Sequence, residues 1–132
     1  MNYSVNLLSD EPIITAICEE GFKLGADMIP MIQDMRAILD AANSKHLIIF
    51  DLEHATFGLD DIISVANIVN HPEISIADHP QVAGMIVVST NKVIALGAKG
   101  MNTPAFKNFS LPLFATLDQA LVYARTRVAE GL

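Results

Sequence analysis

The segment His46–Leu52, read as His-Leu-Ile-Ile-Phe-Asp-Leu, does most to limit what this chain can become. An almost unbroken apolar run that ends in an acid fits a strand buried on both faces, and such strands belong to parallel sheets covered by helices. The next residues support that reading. Glu53-His54-Ala55-Thr56-Phe57-Gly58 is a short mixed loop, and Leu59-Asp60-Asp61 opens an apolar stripe of helical spacing, Leu59, Ile62, Ile63, Ala66 and Val69. A strand passing to a helix through such a loop is a βα unit. Functional sites of open α/β sheets collect at the carboxyl ends of their strands.

The remaining elements can be read around this unit. Tyr3–Leu8 alternates weakly, Ser9-Asp10-Glu11-Pro12 is a turn, and Pro12–Glu19 reads as a strand, so the chain opens with a hairpin. Asp27 is the expected N-cap of a first helix that leaves Pro30 in its first turn. Met28, Ile32, Met35, Ile38, Leu39 and Ala42 form its apolar stripe, with Gln33, Asp34, Arg36 and Asp40 between them. The second helix ends at Asn70-His71-Pro72, and Glu73–Gly84 reads as a polar connector. Met85–Ser89 is a further strand, and Thr90 or Asn91 caps a short helix carrying Val93, Ile94 and Leu96, fraying at Gly97 or Gly100. Pro112–Ala115 is the last strand. Thr116 and Gln119 have capping-box spacing before a final helix that uses Leu117, Leu121, Ala124 and Val128, with Arg125 and Arg127 toward its C-terminus. The expected fold is α/β in the order β-β-α-β-α-β-α-β-α. Its single, mostly parallel sheet has about five strands, an antiparallel N-terminal hairpin strand and four helices. With no repeat or linker in 132 residues, residues 1–132 are read as one domain.

Composition narrows the function classes. A hydrophobic share of 52% argues against disorder. No apolar run approaches the roughly 20 residues that span a bilayer, and the first residues do not resemble a signal peptide, so no membrane insertion and a cytoplasmic location are expected. The net charge of −7 disfavours nucleic acid. The charge is uneven: the first 80 residues carry 13 acids and 3 bases, the last 52 carry 2 acids and 5 bases. A solvated acidic surface accounts for this, and so would a basic partner at the acidic half.

No spacing in the chain forms a catalytic or metal motif. Asp51, Glu53 and His54 lie close in sequence, but a metal or acid–base site needs further groups with fixed geometry. The four histidines lack zinc spacing, and His71-Pro72 and His79-Pro80 read as loop punctuation. Gly97-Ala98-Lys99-Gly100 follows its helix, whereas a phosphate loop precedes one. Cys18, the single cysteine, sits in an apolar run and reads as a buried, inert thiol. Met28, Met31 and Met35 read as a core-facing cluster with Met31 near its margin, and Phe106, Phe109 and Leu111 fall in a loop that packs over the sheet's end or serves a partner. The expectation is no enzyme, no catalytic residues, no metal and no cofactor.

The element order, the strand Leu47–Leu52, the loop with Thr56-Phe57, and the ending Leu113-Phe114-Ala115-Thr116-Leu117-Asp118-Gln119-Ala120-Leu121 together resemble the SpoIIAA-like and STAS-like domains (sulfate transporter and anti-sigma factor antagonist) of bacteria. The resemblance runs over nearly the whole chain and is one of pattern. It implies a non-enzymatic regulatory or protein-interaction module. In anti-sigma antagonists a kinase-type partner phosphorylates a serine at the start of the helix after the central strand, and the added charge breaks their complex. Here Asp60 takes the place of that serine and Asp61 follows, so no hydroxyl stands there and the phospho-switch is expected to be absent. The docking surface implied is Glu53, His54, Thr56, Phe57, Asp60 and Asp61, facing a protein partner of unknown identity, with a homodimer as a further assembly. The alternative is a carrier or sensor of a small apolar ligand or lipid, suggested by the abundant Met, Phe and Ile.

Overall fold

A computed structural model describes residues 2–58, 60, 61, 63, 76, 79–101, 104 and 110–132. Its five strands are β1 (Tyr3–Leu7), β2 (Ile13–Cys18), β3 (His46–Asp51), β4 (Val82–Val88) and β5 (Leu113–Phe114). They form one sheet in the order β1-β2-β3-β4-β5. The β1–β2 pair is antiparallel and every other pair is parallel. Three helices are described: α1 (Leu24–Ala41), α2 (Lys92–Met101) and α3 (Leu117–Glu130). Of the helix expected after Leu59, only Asp60, Asp61 and Ile63 are described, and these have helical backbone. The rest of its stripe, and Phe106 and Phe109, lie outside the described residues.

The hairpin turns where Asp10 adopts φ 61°, a left-handed conformation that a short polar side chain tolerates. All six residues of β3 are buried, as its composition requires. Strand periodicity then sorts the core into two layers. On one face, Ile14, Ala16 and Cys18 of β2, Ile48 and Phe50 of β3 and Val87 of β4 meet Met31, Ile32, Met35 and Leu39 of α1, with Ile94 of α2. On the other, Ile13, Leu47, Ile49, Ile86 and Val88 meet Ala120 and Ala124 of α3. Each fully buried Ile, Leu or Met contributes about 1.5–3 kcal/mol relative to exposure. Met31 is 1% exposed, so it stands at the centre of the α1 stripe and not at its margin.

Helix α1 starts earlier than its sequence suggests. Lys23 is the N-cap and makes no side-chain cap bond, while Asp27 lies inside the helix. The Asp27 carboxylate instead accepts the Lys23 N–H at 2.7 Å, satisfying a donor that the helix start leaves unpaired. Pro30 is therefore interior, and it supplies no N–H for the Ala26 carbonyl. Strand β4 also starts earlier, at Val82, where the sequence suggests a connector. Helix α2 begins after Asn91 and continues through Gly97 and Gly100. Helix α3 starts as its capping box predicts: Thr116 Oγ1 accepts the Gln119 N–H at 3.2 Å. Gln119 Oε1 accepts the Ala115 N–H at 3.2 Å, one residue before the cap. The Arg125 guanidinium donates to Glu11 at 2.8 and 3.3 Å, fastening α3 to the hairpin turn.

Candidate functional site

The carboxyl ends of β2, β3 and β4 lie side by side, because β2–β3 and β3–β4 are both parallel and Ile17, Asp51 and Val88 share one level. The chain leaves β3 there through Leu52, whose N–H donates to the Val88 carbonyl at 2.9 Å. Asp51 is 4% exposed, and its Oδ1 accepts the Glu53 N–H at 3.1 Å, which turns the chain sharply out of the sheet. The Ala55 N–H donates to the Leu52 carbonyl.

Two further contacts fix the loop. Asp61 Oδ2 accepts the Gly58 N–H at 2.6 Å, so an acid of the following helical turn caps that turn from within. Asn91 Nδ2 donates to the Phe57 carbonyl at 3.5 Å. Asn91 itself is held: its N–H donates to Ser89 Oγ at 3.0 Å, and its Oδ1 accepts the Val93 N–H at 2.8 Å. Asn91 therefore caps α2 and braces the neighbouring loop. The Ser-Thr-Asn run before an apolar stripe signals the cap, but the link to Phe57 depends on two segments 34 residues apart and has no local signal.

The six residues predicted as a docking surface divide by exposure. Glu53, His54, Thr56 and Asp60 are exposed or half-buried, as is Asp61. Phe57 differs: it is 7% exposed, with its ring 6.2 Å from that of Phe22. An aromatic in a loop needs apolar cover as much as any core residue, so Phe57 supports the surface from beneath and does not offer its ring to a partner. Glu19 and Glu20, exposed just past β2, leave the sheet at the same end. The rim thus carries Glu19, Glu20, Glu53, Asp60 and Asp61 with Lys23 and Lys92 at its borders.

The structure does not gather Asp51, Glu53 and His54 into one group, since Asp51 is inside the sheet and the other two side chains are exposed. Among the described residues no three His, Cys, Asp or Glu side chains are placed to hold a metal ion. Cys18 is fully buried, with its Sγ 3.8 Å from Met31 Sδ. Burial, and secondarily the Asp51 charge, pushes its thiol up to about 12, far from the thiolate form that nucleophilic chemistry needs. No helix among the described residues is long and apolar enough to cross a membrane.

The architecture around this rim has a counterpart among solved structures. The crystal structure of an uncharacterised DUF3478-family protein from Shewanella loihica PV-4, described as having a SpoIIAA-like fold, superposes with a TM-score of 0.59. The match covers 92% of this chain and 91% of that one at 10% sequence identity. This chain has a SpoIIAA-like fold. The identity is low enough that the likeness carries the fold alone. No protein-family model matches the sequence, and no curated protein does. Within the SpoIIAA-like frame, the loop from Glu53 to Asp61 is the segment that leaves the central strand, and its acids stand at the start of the next helical turn.

Proposed function

We propose that this protein is a non-enzymatic interaction module of regulatory type, and that its partner docks on the acidic rim built around the loop from Glu53 to Asp61. The observation that carries the reading is the contrast between the loop's interior and its exterior. Asp51, Phe57, Asn91 and the Asp61 carboxylate hold its backbone from inside, while Glu53, His54, Thr56 and Asp60 face outward. A pre-shaped surface of this kind loses little conformational entropy on binding. Its charge selects a partner with a basic face and speeds encounter with it.

No hydroxyl stands at Asp60 or Asp61, so this surface has no phosphorylation switch at the helix start. A fixed acid there also stabilises the turn, because anionic groups near a helix N-terminus interact favourably with its dipole.

Glu53→Lys combined with Asp60→Lys tests the reading. The pair leaves Asp61 and its bond to Gly58 in place, so charge is reversed without removing that bond. Wild-type protein immobilised at low salt should retain a partner that the double variant does not, with both showing the same circular dichroism and thermal midpoint. Binding should also weaken as salt is raised. An identical set of captured proteins from wild type and variant would remove this surface from consideration.

A further inference from the structure

β1 forms one edge of the sheet and pairs only with β2 among the described strands. The alternation of hydrogen bonds in an antiparallel pair shows which of its backbone groups are used. The Leu8 N–H donates to the Ile13 carbonyl and the Glu19 N–H donates to the Asn2 carbonyl. Even-numbered residues of β1 therefore bond inward to β2, and the N–H and C=O of Tyr3, Val5 and Leu7 point out from the edge. Among the described residues no backbone or side-chain group hydrogen-bonds to these three outward pairs.

Edges of this kind are usually protected by charge, proline, a bulge or a cover. Here α1 packs on one face of β1, but the strand itself carries no charge, proline or bulge, and among the described residues nothing pairs with its outer edge. Asn2–Leu8 contains no charged residue and no proline, although it lies within the first 80 residues, which carry 13 acids and 3 bases. The β1–β2 register is regular from Tyr3 to Leu7. Leu7 is 48% exposed, an unusual position for a leucine, and it lines an open groove with Ala37, Ile38 and Ala41 of α1.

We propose that the chain forms a two-fold dimer in which β1 pairs antiparallel with β1 of a second copy, centred on Val5. Outward groups demand an extended strand, and the spacing favours this chain's own. With Val5 opposite Val5 of the other copy, Tyr3 meets its Leu7 and Leu7 its Tyr3. All outward donors and acceptors of both copies are then satisfied. Each exposed Leu7 then faces the other copy's Tyr3 in place of water, and neither strand brings a charged residue to the seam. The two sheets become one continuous sheet. This surface is separate from the acidic rim, which lies at the carboxyl ends of β2 and β3, so the proposal stands independently of the docking reading.

The test is the molar mass of the full chain by light scattering coupled to size exclusion, together with amide exchange. The wild type should elute at twice 14.3 kDa, with slow exchange at Tyr3, Val5 and Leu7 that is lost on dilution. Leu7→Lys, at an exposed site, should give the mass of a single chain with unchanged circular dichroism. Val5→Pro should do the same, because the N–H it removes points outward and the ladder to β2 stays whole. If Val5→Pro does not fold, Leu7→Lys decides. A wild type of single-chain mass at 100 µM would overturn the proposal. An oligomer that survives Leu7→Lys would overturn it too, as would exchange at Val5 as fast as in the variant.

Discussion

Helices α1 and α3 cover opposite faces of the sheet and are secured in opposite ways. Helix α1 spans 18 residues, has no side-chain N-cap bond and carries a proline inside. It is held by size: Met31, Ile32, Met35 and Leu39 are all buried against β2 and β3. Helix α3 spans 14 residues, starts with a side-chain cap at Thr116 and buries only Ala120 and Ala124 fully. Smaller, partly buried apolar contacts are joined there by a side-chain cap, an ion pair and a close approach. Arg127 reaches over Gly84 of β4 to within 3.5 Å of where a side chain would begin, and Arg125 is tied to Glu11. One helix therefore depends on fully buried hydrophobic volume, while the other joins partly buried apolar contacts from Leu117, Leu121 and Val128 to polar fittings at its surface and start.

The contrast can be broken at its strongest point first. Leu39→Ala removes a fully buried side chain from the α1 face and should cost about 2–5 kcal/mol, read as a fall in the urea midpoint at constant slope. A loss under about 1 kcal/mol would show that α1 does not rest on its apolar volume. Thr116→Ala should cost about 1 kcal/mol, since it leaves the Gln119 N–H without its acceptor. Gly or Asp at the same position should restore most of that loss. If Ala costs nothing, the cap does not secure α3.

The smallest effect concerns the Glu11–Arg125 pair. The hydrogen bond from Arg125 holds the Glu11 carboxyl below its ordinary value. A lowered carboxylate stabilises the fold above its unfolded pKa, and that contribution is lost as pH falls through the folded value. The difference in urea midpoint between wild type and Glu11→Gln should be small and positive at neutral pH and low salt. It should vanish on titration into the acid range and shrink with added salt. A difference that grows on acidification would reverse the assigned sign.

The same contrast separates what is legible in the sequence from what is not. The capping box of α3 is local chemistry, two side chains three residues apart, and it can be read without any knowledge of the fold. The start of α1 cannot. Asp27 looks like an N-cap, but its carboxylate reaches back to the Lys23 N–H from inside the helix, and core packing further along carries the turns around Pro30. The early start of β4 escapes the sequence for a related reason. Gly84 reads as a connector residue, but it lies where the β3–β4 register shifts between His46 and Leu47. A Cβ there would stand 3.2 Å from Leu47 Cδ2, so the glycine marks a close approach inside a strand. In the candidate site, the acids and the loop's position follow from the strand-to-helix pattern. The inward turn of Phe57 and the brace from Asn91 do not, because both depend on segments that meet only when the sheet has formed.

Docking of a partner on the loop from Glu53 to Asp61 is tested most directly by chemical-shift mapping of the 15N-labelled chain during titration with a captured partner. The predicted result is that the largest amide shifts fall on Glu53, His54, Thr56 and Asp60, with smaller ones at the Asn91 brace, and that β1 is unmoved. Shifts concentrated on β1 or α3, with the loop unchanged at saturation, would contradict it.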